Sequence, residues 1–185
     1  MINEKNLLTA RINAWLLMNQ LHVSINQYED REYGKIGISI PQFYILAAIK
    51  YLPSPVTITD IARWVDRKVN TVTLVLNQME KKGLVKRERD LPDRRETRLS
   101  LTPVSEKIFE KATVPLREVP NDIFSCLSSD ELDSLLSILQ KLREKAYHVL
   151  RLKAELSELH DHRIDVMTRV LSEKSLSLNR MKKRK

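Results

Sequence analysis

The chain has 185 residues, of which 42% are hydrophobic and 30% charged, and a formal net charge of +8; this length suits one domain with a peripheral extension. Its single cysteine, Cys126, excludes an intrachain disulfide, no stretch is apolar for the length of a membrane span, and the first residues lack a secretory signal, so we expect a cytoplasmic protein without a membrane partner. Three glycines form no phosphate-binding loop and the four histidines read as surface residues, so we expect no catalytic activity, no cofactor and no metal site.

The first predicted element is an amphipathic helix over residues 6–31, because mostly apolar side chains recur there at spacings of three and four. This stripe consists of Leu8, Ile12, Trp15, Leu16, Asn19 and Val23. A glycine-containing loop follows. Ser39 and Gln42 then form a capping box that opens a second helix, and residues 52–55 (LPSP) end it.

Two short helices come next. Thr57 and Asp60 repeat the capping signal for a third helix, and a fourth is predicted over about residues 69–82, ending at Gly83. Four short polar side chains lie opposite the apolar stripe of this fourth helix: Asn70, Thr71, Thr73 and Asn77. Such donors and acceptors suit base edges and phosphates, although a solvated helix face would look the same in isolation.

After Gly83 the apolar period changes from helical to alternating. We predict strands over residues 84–89 and 97–101, joined by a turn over residues 91–96. Residues 81–98 carry a net charge of +4 and residues 174–185 a net charge of +6, so the rest of the chain has a net charge of −2. Basic charge is therefore concentrated in this hairpin and in the C-terminal tail, which favours a nucleic-acid partner.

A fifth helix should begin at Pro103, since Thr102 before a proline is a helix-start signal, and should be interrupted at Pro115 or Pro120. It would resume toward Cys126, which lies between Phe124 and Leu127 and is predicted to be packed and inert.

The last long helix is predicted to open at a third capping box, formed by Ser128 and Glu131. A seven-residue leucine-rich pattern runs on to Leu156, which indicates a helix pair, most simply across a dimer interface. Residues 157–173 can continue as helix. The last dozen residues lack a sustained apolar face and are expected to be mobile or partner-dependent.

Asp93, Arg95, Leu99, Leu101 and Thr102 stand in the pattern D-x-R-x-x-x-L-x-L-T. With the order of the predicted elements, this pattern resembles the wing signature of the MarR (multiple antibiotic resistance regulator) family of winged helix-turn-helix transcription factors. The resemblance covers residues 8–150. It implies a mainly α fold with a small β-wing, in which a winged helix-turn-helix domain joins a helical dimerisation region.

The resemblance also implies how the chain is divided. The expected parts are an N-terminal dimerisation helix and loop (1–38), the winged helix-turn-helix domain (39–102), C-terminal dimerisation helices (103–156), and a helical extension with a basic tail (157–185). The expected function is transcriptional regulation, most simply repression, by a homodimer on a pseudo-palindromic site in double-stranded DNA. Related proteins bind small effectors between the dimerisation region and the winged domain.

Eight residues are expected to contact DNA: Thr57, Lys68, Asn70, Thr71, Thr73, Asn77, Arg94 and Arg95. By resemblance, Arg95 enters the minor groove, held by the Asp93 carboxylate, while Arg94 meets phosphate. The plainer interpretation of Asp93 and Arg95 is an exposed ion pair that stiffens the hairpin, worth about 1 kcal/mol or less. Leu74 departs from the arginine that many relatives carry there, so the usual base contact of the family is not expected at this position.

An effector pocket is the least specific of these expectations. The candidate wall residues are Trp15, Tyr28, Tyr44 and Tyr51, although aromatic residues at helical spacing are more often part of a core. An alternative function also stays open: a winged-helix protein-interaction module that works mainly through the long C-terminal helix and the basic tail.

Overall fold

The computed structural model describes residues 4–88, 98–151 and 154–182, and the side chains of all of these except 5, 154–156 and 172–182. Seven helices and two strands follow one another in these ranges. They are α1 (Glu4–Gly34), α2 (Ile40–Tyr51), α3 (Ile58–Trp64), α4 (Val69–Lys81), β1 (Val85–Glu88), β2 (Arg98–Leu101), α5 (Pro103–Phe124), α6 (Ser129–Leu150) and α7 (Ala154–Lys182). The predicted fold class, mainly α with a small β-wing, is confirmed.

Capping boxes set the starts of four helices. At Ser39, Thr57 and Ser128 the cap hydroxyl accepts from the backbone N–H three residues on, and that residue's side chain accepts from the cap backbone. Thr102 forms the same reciprocal arrangement with Ser105 at the start of α5. Because these signals are local and need no tertiary partner, the predicted starts are confirmed to within a residue.

An aromatic cluster around Phe43 ties the winged domain to the long helices. Phe43 is fully buried on α2; its ring centroid lies 5.0 Å from that of Tyr33 on α1 and 5.5 Å from that of Phe109 on α5, with which it stacks at 10°. Offset aromatic contacts of this kind stabilise packing beyond the area they bury. One buried side chain therefore fixes α1 and α5 relative to α2.

The two outer helices leave large apolar side chains uncovered. On α1 these are Leu8, Ile12, Trp15, Leu16, Leu17 and Leu21, and on α6 they are Leu136, Ile138, Leu139, Leu142, Val149 and Leu150. The described part of α6 has no buried residue. Exposed apolar side chains grouped along a helix in this way mark interaction surfaces in soluble proteins.

Among the described residues, no helix combines the length and the apolar composition needed to cross a membrane.

The predicted interruption of α5 is wrong. The helix runs unbroken from Pro103 to Phe124 with Pro115 and Pro120 inside it. Pro115 is buried, and Phe109 and Ala112 pack into the core along the same helix, so tertiary packing outweighs the lost backbone hydrogen bonds.

One expectation for the C-terminal part also needs correction. The long helix α6 stops at Arg151, which takes the left-handed conformation (φ 50°), and does not continue to Leu156. A separate helix, α7, packs back against α3 and α5 and extends to Lys182, while the expectation that the last dozen residues are mobile or partner-dependent stays a prediction. Val166 and Val170 of α7 are buried in the core and supply the apolar contacts that hold it there.

Replacing Pro120 by Ala should raise the free energy of unfolding by about 1–2 kcal/mol, because it restores a backbone donor inside α5 at an exposed position. Urea unfolding followed by circular dichroism at fixed protein concentration measures this. Pro103→Ala is the matched control: Pro103 occupies the first turn, where no backbone donor is needed, so stability should change by less than about 1 kcal/mol. A loss of stability in Pro120→Ala would contradict the account of α5.

Candidate nucleic-acid interface

Helices α3 and α4 form the helix-turn-helix unit. The tight connection between them is closed by the Arg67 amide donating to the Ala62 carbonyl at 2.9 Å, and Asp66 adopts a positive φ of 54°. Ile61 and Trp64 of α3 are buried, as are three residues of α4: Val72, Leu76 and Met79. Because one face of α4 is fixed in the core, its opposite face points outward.

That outward face carries the polar residues predicted to read DNA. Asn70 and Thr71 are exposed near the start of α4, whereas Thr73 and Asn77 are half-buried. The Thr73 hydroxyl donates to the Val69 carbonyl at 2.8 Å, so only its oxygen lone pairs are available to an outside donor. Leu74 lies beside them and is 65% exposed.

Thr57 and Lys68, both predicted to contact DNA, differ in how free their polar groups are. Lys68 is exposed at the N-cap of α4, a position from which its ammonium group can reach a phosphate. Thr57 is committed internally: its amide and its hydroxyl both donate to the Asp60 carboxylate, at 3.1 and 2.6 Å. The geometry gives Thr57 a capping role in α3, and its predicted DNA contact stays a prediction.

The hairpin base is held by the end of the wing signature. Strands β1 and β2 pair antiparallel, with Val85 opposite Leu101 and Arg87 opposite Leu99. Leu99 is buried in the core, and the Thr102 hydroxyl donates to the Gly83 carbonyl at 2.7 Å. Thr102 thereby joins the end of α4, the hairpin and the start of α5. Asp93, Arg94 and Arg95 lie outside the described residues, so their predicted roles stay predictions.

Arg87 has a structural role that the sequence analysis missed. Its side chain is only 9% exposed, and its Nε lies 3.5 Å from the Glu80 carboxylate of α4. This pairing joins β1 to α4 and gives Arg87 a packing role at the base of the hairpin. The sequence does contain a signal for this burial: side chains alternate along a strand, so Arg87 lies on the same face as the buried Val85.

A cavity of about 500 Å³ lies between α1, α2, the helix-turn-helix unit and α7. Its lining comprises His22, Ile25, Asn26, Glu29, Ile40, Pro41, Tyr44, Ile45, Val65, Asp66, Arg67, Thr71, Val72, Val75 and Arg163. Burial raises the pKa of the Tyr44 hydroxyl, and the nearby Glu29 carboxylate adds to that effect. Burial also raises the pKa of the Glu29 carboxyl.

The four aromatic residues predicted for an effector pocket do not share one wall. Only Tyr44 lines the 500 Å³ cavity. Tyr28 lies in a cleft between α1 and α5, where its hydroxyl donates to the Asp122 carboxylate at 2.5 Å, and Tyr51 lines a groove beside β2. Trp15 is 65% exposed on the apolar face of α1.

Cys126 and one histidine differ from expectation. Cys126 is exposed, because the residues beside it end α5 at the surface. His160 is buried in the interface of α7, where its Nδ1 lies 2.6 Å from the Tyr147 hydroxyl; its partner is thirteen residues away, beyond the reach of local pattern analysis. Within the described ranges, no group of three or more histidine, cysteine or acidic side chains is arranged to hold a metal ion.

A helix-turn-helix with an outward polar helix and an adjoining hairpin defines the winged helix class. The model of the MarR family matches residues 38–97. The regulator MgrA of Staphylococcus aureus is 32% identical over 115 residues, covering 62% of this chain and 76% of MgrA. The regulator YfiV of Bacillus subtilis (strain 168) is 28% identical over 152 residues, covering 78% of this chain and 92% of YfiV. The chain belongs to the MarR family of transcriptional regulators.

Solved structures show the same fold. The S. aureus MepR–DNA complex has a TM-score of 0.64 at 25% identity, covering 70% of this chain and 96% of MepR. A mutant of E. coli MarR in complex with operator DNA has a TM-score of 0.63 at 19% identity, covering 72% of this chain and 95% of that protein. The organohalide-sensing regulator RdhR, bound to 2,4-dichlorophenol, has a TM-score of 0.66 at 24% identity, covering 74% and 80%.

Thr102→Val should lower the free energy of unfolding by about 1–3 kcal/mol, because the near-isosteric side chain loses both the cap of α5 and the bond to Gly83. Chemical denaturation measures the change. Thr168→Val, at an exposed position on α7, is the matched control and should alter stability by less than about 0.5 kcal/mol. Equal changes in stability for the two substitutions would contradict the claim that Thr102 joins α4, the hairpin and α5.

Proposed function

We propose that this chain is a cytoplasmic, DNA-binding transcriptional repressor that works as a homodimer, responds to a small-molecule effector and has no catalytic activity. The observation that carries the proposal is the polar side of α4, away from its buried Val72, Leu76 and Met79, where Asn70 and Thr71 are exposed and Thr73 and Asn77 are half-buried. Short amides and hydroxyls on an exposed helix reach base edges in the major groove, which admits an α-helix.

Charge supports DNA as the partner. Residues 81–98, which follow α4 and enclose the wing, carry a net charge of +4. Lys68 adds a free ammonium group at the start of α4. Phosphate contacts of this kind position a protein on DNA, while the polar side chains of α4 supply sequence discrimination. MepR, whose fold this chain shares at 25% identity, was solved as a DNA complex.

The exposed apolar faces of α1 and α6 support a homodimer. A second copy would cover Trp15, Leu139 and their neighbours in a symmetric interface and would place two α4 helices on one DNA face. The cavity between α1 and α4 supports an effector site, since a ligand there would touch both the dimerisation helix and the reading helix.

The alternative, a protein-interaction module working mainly through the long C-terminal helix and the basic tail, has less support. Val166 and Val170 of α7 pack against the chain's own core, so these apolar side chains are used within the subunit. We attribute the exposed Leu74 to a sequence preference that differs from that of relatives with arginine at this position.

Arg95→Ala should reduce affinity for the DNA upstream of the protein's own gene by about tenfold or more. The variant lacks the guanidinium group that would supply positive charge and hydrogen bonds in the minor groove. Fluorescence anisotropy at two salt concentrations measures affinity and the salt slope. Arg117→Ala, at an exposed position on α5, removes the same charge and should change affinity by less than about twofold. Unchanged affinity and specificity in Arg95→Ala would eliminate the wing contact.

Leu139→Glu should dissociate the dimer, because it places a carboxylate in the centre of the apolar face of α6, where Leu139 is 41% exposed in the single subunit. Sedimentation velocity should show a monomer with at least tenfold weaker DNA binding. Thr168→Glu, on the exposed surface of α7, is the control for an added acidic charge and should remain dimeric. A dimeric Leu139→Glu protein would place the interface elsewhere.

A further inference from the structure

Leu74 occupies the centre of the outward face of α4. The buried side of this helix is formed by Val72, Leu76 and Met79. At 3.6 residues per turn, the Leu74 side chain projects within about 15° of the direction opposite to these three. Leu74 is 65% exposed, so the position on α4 that lies farthest from the core carries an apolar side chain.

The neighbours of Leu74 on this face are polar. Asn70 and Thr71, one turn before it, and Gln78, one turn after it, are all exposed. Val69, the other large apolar residue exposed on α4, lies about 140° away around the helix axis. Leu74 is therefore a single apolar group among amides and a hydroxyl, and α4 offers no contiguous apolar patch of the size that a protein partner would cover.

The chemistry of the major groove limits what this side chain can recognise. Leucine has no hydrogen-bond donor or acceptor, whereas guanine, adenine and cytosine present polar atoms in that groove. Covering those atoms with a leucine would remove their water without replacing the hydrogen bonds, which costs free energy. Thymine differs because its C5-methyl group is an apolar surface in the major groove.

We propose that Leu74 is a specificity-determining residue that reads thymine, by packing its isobutyl group against the C5-methyl group of one thymine in each half-site. The inference rests on the proposed function, in which α4 enters the major groove, and it names the base that the centre of α4 selects. Asn70 and Thr71 would then hydrogen-bond to polar groups beside that thymine, so apolar and polar contacts alternate along the reading face.

Replacing thymine by deoxyuridine tests this contact, because deoxyuridine lacks only the C5-methyl group and keeps every polar atom of the base. The probe is a duplex that the wild-type protein selects from a random-sequence pool, with each thymine replaced in turn and affinity measured by fluorescence anisotropy. At one thymine in each half-site, the replacement should weaken the wild-type protein by about fourfold, and by about fifteenfold when both half-sites are changed.

Leu74→Ala should bind the thymine duplex about tenfold more weakly than the wild type and should bind the thymine and deoxyuridine duplexes within about twofold of each other. Leu74→Met keeps an apolar side chain of similar volume and should retain part of the preference for thymine. Ile164→Ala is the matched control: it removes the same three carbon atoms from a side chain that is 52% exposed on α7, and it should discriminate as the wild type does.

A wild-type protein that is insensitive to deoxyuridine at every thymine refutes the proposal. A preference for thymine that survives unchanged in Leu74→Ala also refutes it, because another residue then reads the methyl group. Leu74→Ala protein that binds the thymine duplex as tightly as the wild type assigns Leu74 to a contact other than DNA. Each of these results leaves the proposed function intact, whereas a wild-type protein that selects no sequence from the pool overturns the proposed function itself.

Discussion

The contact between Phe43 and its aromatic neighbours is the constraint on which the arrangement of the molecule depends. Phe43 stacks on Phe109 of α5 and packs against Tyr33 of α1, so a single fully buried residue of α2 joins the winged domain to the two helices that flank it. This packing orients α1 and α5, while the burial of Val72, Leu76 and Met79 turns the polar face of α4 outward and Thr102 holds the hairpin to Gly83.

The division between buried and exposed surface accounts for the proposed function. Helix α4 buries Val72, Leu76 and Met79 and turns its polar side outward, whereas α1 and α6 leave leucine-rich faces without cover in the single subunit. Association through those faces would place two polar helices in a symmetric pair, the geometry that a pseudo-palindromic DNA site requires. Helix α7 packs against α3 and α5, and its Arg163 forms part of the wall of the cavity between α1 and the helix-turn-helix unit.

Local signals allowed most helix boundaries to be predicted, because a capping residue such as Ser39 or Thr57 and its partner are three residues apart. Tertiary packing explains the failures. Pro115 stays inside α5 because the helix is buried around it, and His160 is buried because Tyr147 meets it from α6. The cavity was also beyond sequence patterns, since Glu29, Tyr44 and Arg163 come from three distant helices; of the four aromatic residues predicted for it, Tyr44 alone is present.

Hydroxyl-radical footprinting of the promoter DNA tests the central claim most directly, because it reports both the face and the spacing of the bound subunits. A symmetric dimer whose α4 helices enter successive major grooves should protect two segments on one face of the duplex, centred about one helical turn (10–10.5 base pairs) apart. Protection of a single half-site, of unphased positions, or of no sequence in preference to others would contradict the account.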